Sequence, residues 1–64
     1  MKRLSKTEQI DLRADEDIAE FGSIDAAIAA NCAMMASGDY PAAFSRFMRL
    51  VNDRLYSRIA LVLS

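Results

Sequence analysis

The sequence predicts an all-α protein of three helices, at about residues 6–21, 24–37 and 41–63, within a single domain spanning residues 1–64. Two observations predict it. Apolar residues recur at spacings of three and four in every segment, the period of a helix with one buried side. Gly22 and Gly38 interrupt that period, each beside a residue suited to starting the next helix. No stretch reads as a strand, a repeat or low-complexity sequence.

The first helix should start near Lys6, because Ser5 and Glu8 have the S-x-x-E spacing of a capping box. Ile10, Ala14, Ile18 and Phe21 then form a thin apolar stripe, the acids around Asp15, Glu16 and Asp17 occupy the rest, and Asp11 and Asp15, or Glu16 and Glu20, read as a solvated face. Gly22 can take the positive φ that ends a helix.

Ser23 is the expected N-cap of the second helix. Ile24, Ile28, Cys32 and Met35 mark its apolar side among six alanines, Ala26, Ala27, Ala29, Ala30, Ala33 and Ala36. Small side chains let neighbours come close, which makes this the central packing helix. Cys32 reads as a small core hydrophobe. Asn31 reads as a solvent-facing or backbone-bonded amide, with a buried, register-setting role as the alternative.

Gly38 ends that helix, Asp39 can cap the next, and Pro41 is tolerated in a first turn because its missing N–H costs nothing there. So short a connection implies an antiparallel hairpin. In the third helix Phe44, Met48, Val51, Leu55, Ile59 and Val62 form a core-facing stripe. Phe47, Leu50 and Leu61 form a second apolar strip, while Arg46, Arg49, Asp53 and Ser57 should face water. Either the first helix or another chain must cover the second strip.

A chain of 64 residues buries only about 60% of its unfolded surface and generally needs a staple or a partner. One cysteine and no histidine leave no internal disulfide and no usual zinc spacing, so a hydrophobic fraction of 53% favours oligomerisation. The net charge of −1 is unevenly laid out. Asp11, Asp15, Glu16, Asp17 and Glu20 crowd the first helix, and Arg46, Arg49, Arg54 and Arg58 the third. These helices should attract one another, within or between chains.

The apolar run at residues 59–63 is too short to span a membrane, and the basic N-terminus lacks the apolar segment of a signal peptide, so a cytoplasmic protein is expected. With no histidine, no Gly-rich phosphate loop and no base near Ser or Cys, no catalytic residue, metal or cofactor is expected.

A helix-turn-helix reading rests on Gly38 followed by Phe44-Ser45-Arg46-Phe47, although Asp39 and Met34 stand where an apolar residue and an alanine are usual. The segment Gly38-Asp39-Tyr40, with Ala43 and Phe47 after it, resembles the turn and second helix of a tetratricopeptide repeat over residues 24–55. That resemblance implies one antiparallel helical hairpin, since a single repeat cannot bury its own face. Ala42-Ala43, Arg46, Leu50 and Arg54-Leu55-Tyr56-Ser57-Arg58-Ile59 are similar to the long helix of the Hha/YmoA nucleoid-modulating proteins. That resemblance implies a non-enzymatic protein that binds the H-NS silencer. The family's Asp-His pair before the arginine is Phe44-Ser45 here.

The resulting expectation is a protein-binding regulator or inhibitor that acts as a homodimer through its C-terminal helix. Its partner or dimer interface would be Phe47, Leu50, Arg54, Leu55, Tyr56, Arg58, Ile59, Leu61 and Leu63, since aromatic and arginine anchors suit such surfaces. The alternative is a transcriptional modulator, binding an H-NS-type silencer or DNA directly.

Overall fold

The computed structural model describes residues 3–63, and these form three helices, α1 (Lys6–Phe21), α2 (Ile24–Ser37) and α3 (Ala42–Leu63), with no strand among them. Each helix packs on both others in a slab of 35 × 34 × 18 Å.

The caps follow the sequence closely. Ser5 Oγ accepts from the Glu8 N–H at 3.1 Å while Glu8 Oε1 accepts from the Ser5 N–H at 3.0 Å, a reciprocal capping box. These bonds to Ser5 favour the ionised carboxylate, so the Glu8 pKa lies below its ordinary value. Gly22 closes α1 at φ 92°, its N–H bonded to Ile18 O at 2.9 Å, and the chain bends by 103° into α2. Ser23 Oγ caps α2 by accepting from the Ala26 N–H, and Gly38 closes α2 at φ 74°. Both glycines hold the left-handed conformation that a side chain strains. The cap of α3 differs from expectation. Its first bond runs from the Ser45 N–H to Pro41 O at 3.1 Å, so Pro41 itself stands at the N-cap, with Asp39 outside the helix.

Ala14, Ala27, Ile28, Met48, Val51 and Leu55 form the buried core, with Ile10, Ile18, Phe21, Ile24, Met35, Phe44, Phe47 and Ile59 packed against it. Each large side chain so buried contributes about 1.5–3 kcal/mol. The predicted α3 stripe holds from Phe44 to Ile59 and fails at Val62, which is 76% exposed. At 1.5 Å per residue α3 is about 33 Å long against about 24 Å for α1 and about 21 Å for α2, so Val62 in its last turn lies beyond the buried core.

Three polar residues are buried in the core. Asp17 on α1, Asn31 on α2 and Asn52 on α3 meet where the helices converge. The Asn31 amide donates to Asp17 Oδ2 and to Asn52 Oδ1, both at 3.0 Å. Arg13 Nε bonds the other Asp17 oxygen at 3.0 Å, and Asn52 Nδ2 lies 3.5 Å from Ile28 O. Asn31 is therefore neither solvent-facing nor backbone-bonded, and Asp17 is not part of a solvated face. The buried side of α2 is Ala27, Ile28 and Asn31, and Cys32, expected in the core, is exposed. In an alanine-rich helix the sequence barely marks one face, so the neighbours choose it.

Candidate protein-interaction surface

The α1–α3 contact uses the charges that the sequence sets on these helices. Arg54 Nε lies 3.0 Å from Asp11 Oδ1, and Arg58 Nη1 lies 2.6 Å from Asp15 Oδ1. Arg58 Nη2 also donates to the Asp11 carbonyl at 3.3 Å and lies 3.5 Å from Asp11 Oδ1. The attraction between the acidic first helix and the basic third helix thus acts within the chain. Arg54 and Arg58, expected to meet a partner, are half-buried and held by α1.

The other interface candidates divide into three groups. Leu55 is wholly buried in the chain's own core, where no second molecule reaches it without opening the helices. Phe47 and Ile59 are half-buried against that core. Leu50, Tyr56, Leu61 and Leu63 are exposed at 37%, 56%, 75% and 80%. Leu63 and Val62, with Ile59, Ile24, Ser23 and Asp25, line a depression of about 230 Å³ where α2 begins and α3 ends.

A larger groove, about 530 Å³, lies between the start of α1 and the first half of α3, lined by Lys6, Ala43, Arg46, Phe47, Arg49 and Leu50. Arg46 and Arg49 also line a depression of about 300 Å³ on the α2 side, with Met35, Ala42 and Ser45. Tyr40 stacks on Phe44 nearby, with ring centroids 4.9 Å apart, and Arg13 sits 5.9 Å over the Phe44 ring.

No family model matches this chain, and no curated protein or solved structure does. The site is therefore read from its own residues. Among the described residues no group of three His, Cys, Asp or Glu side chains could hold a metal ion, and no single helix is long and apolar enough to cross a membrane.

The sequence reading missed Asp17 and Asn52 as core residues, and a signal for both was present. Asp17 falls in phase with Ile10, Ala14 and Phe21, and Asn52 in phase with Met48, Val51 and Leu55. Helical phase marks both polar residues as inward-facing, as it does their apolar neighbours.

Proposed function

We propose that this chain is a non-enzymatic, cytoplasmic protein-binding regulator or inhibitor that acts as a homodimer through its C-terminal helix. In this reading α2 and α3 form an antiparallel hairpin. The shared lining of Ile24 with Ile59 at one end, and of Met35 with Ser45 at the other, supports that arrangement.

The observation that carries the proposal is the apolar overhang of α3. Tyr56, Val62 and Leu63 are all more than half exposed on the helix that supplies Met48, Val51 and Leu55 to the core. Paired with a second copy, each such side chain would contribute about 1.5–3 kcal/mol on full burial. The depression beside Val62 and Leu63 gives the partner's leucine a place to enter.

Solution mass by light scattering across a dilution series, with helicity followed alongside, tests it. A dimer that dissociates on dilution, and that Val62→Asp with Leu63→Asp converts to a folded monomer, is the expected result. A wild-type chain that is monomeric at every concentration would overturn the homodimer.

A further inference from the structure

We infer that the groove between the start of α1 and the first half of α3 is a docking site for an acidic amphipathic segment of a protein partner. The inference extends the partner-binding reading but does not depend on self-association, because the groove lies away from the α3 overhang.

Charge complementarity identifies the occupant. Lys6, Arg46 and Arg49 are exposed, and among the described residues none has a carboxylate within ion-pair distance. Arg54 and Arg58, on the same helix, are both taken up by Asp11 and Asp15. The positive charge left unanswered on α3 is thus concentrated in its first two turns, and no acid lines the groove or the depression on the far side of Arg46 and Arg49.

The floor of the groove is apolar. Phe47 is anchored against the core, Leu50 is partly exposed, and Ala43 leaves room beside them. A purely polyanionic ligand has no use for that floor. Farther along α3 a nucleic-acid backbone would also meet Asp53, which lines the next depression with Ile10, Leu50 and Arg54. A helix carrying leucine or methionine on one side and glutamate or aspartate at its edges answers both features. Its apolar side chains enter beside Phe47 and Leu50, and its carboxylates meet Arg46 and Arg49, three residues apart on one side of α3. Arginine forks and an aromatic anchor are the side chains that dominate such contacts.

The test is fluorescence anisotropy with the full chain and a fluorescein-labelled amphipathic helical peptide of leucine and glutamate. Saturable binding is expected, weakened about tenfold or more by Arg46→Glu with Arg49→Glu and also by Leu50→Ser. Circular dichroism should show unchanged helicity in each exposed-residue variant. Polyglutamate should bind more weakly than the amphipathic peptide. The inference is overturned if the amphipathic peptide fails to bind, if polyglutamate binds equally well, or if a labelled DNA duplex binds more tightly at the same salt concentration. Repeating the titration on the Val62→Asp, Leu63→Asp chain separates the two sites: the peptide should still bind there, whatever the solution mass shows.

Discussion

The side-chain amide of Asn31 on α2 donates to Asn52 Oδ1 on α3 at 3.0 Å, inside the buried core. Its second N–H reaches Asp17 Oδ2 on α1, also at 3.0 Å, so one side chain ties all three helices at one level. Asn31 Oδ1 is buried with no hydrogen-bond partner among the described residues. An unpaired buried acceptor costs about 1–3 kcal/mol, which offsets part of what the two Asn31 hydrogen bonds contribute.

Asn31→Asp tests the cluster through pH. It sets a second carboxylate in the core beside Asp17, whose counter-ion is Arg13, and a buried charge left uncompensated costs about 3–5 kcal/mol at neutral pH, enough to unfold much of a chain this small. The introduced carboxyl, buried beside a like charge, would hold its proton more tightly in the folded state than in the unfolded chain. Stability should therefore recover as pH falls through the carboxylate range. Thermal melts of the variant and wild type at neutral and mildly acid pH read this directly. A deficit that stayed constant with pH would show that the charge of the new side chain is not what matters.

The capping box at Ser5 and Glu8 predicts a smaller effect of the opposite sign. Ser5→Ala should cost about 1 kcal/mol. Because the folded pKa of Glu8 is depressed, its contribution is present above the unfolded pKa and lost as pH falls through the folded one. Glu8→Gln should remove that part of the acid sensitivity, measured as the slope of stability against pH.

Arg58 meets Asp11 and Asp15 at a partly exposed surface, which limits the value of the pairs. Arg58→Gln should destabilise by about 1 kcal/mol or less at low salt, and the difference should shrink as salt rises. Denaturant titrations at two ionic strengths provide the check. An unchanged difference in high salt would indicate lost packing of the arginine stem instead.

Leu55 and Leu63 lie eight residues apart on α3 and should behave differently. Leu55→Ala opens a cavity in the buried core and should cost about 2–5 kcal/mol. Leu63→Ala removes an exposed side chain and should change the stability of a monomer by no more than about 0.5 kcal/mol. Chemical denaturation at a concentration low enough to exclude association compares them.

The sequence by itself determined the three helices, the caps of α1 and α2 and most of the core. These features are local: Ser5 with Glu8 starts a helix, Gly22 and Gly38 end two, and a periodic stripe needs only its own helix to be legible. Tertiary structure decided what depends on neighbours. Which face of alanine-rich α2 turns inward was set by Asp17 and Asn52 waiting for Asn31, residues up to 21 positions away. Which arginines remain available was set by where α1 lies, since Asp11 and Asp15 occupy Arg54 and Arg58 and leave Arg46 and Arg49 to solvent. Helix length against neighbour length then decided that Val62 is exposed although its helical phase points inward. Phase is a property of one helix, whereas burial and pairing require two.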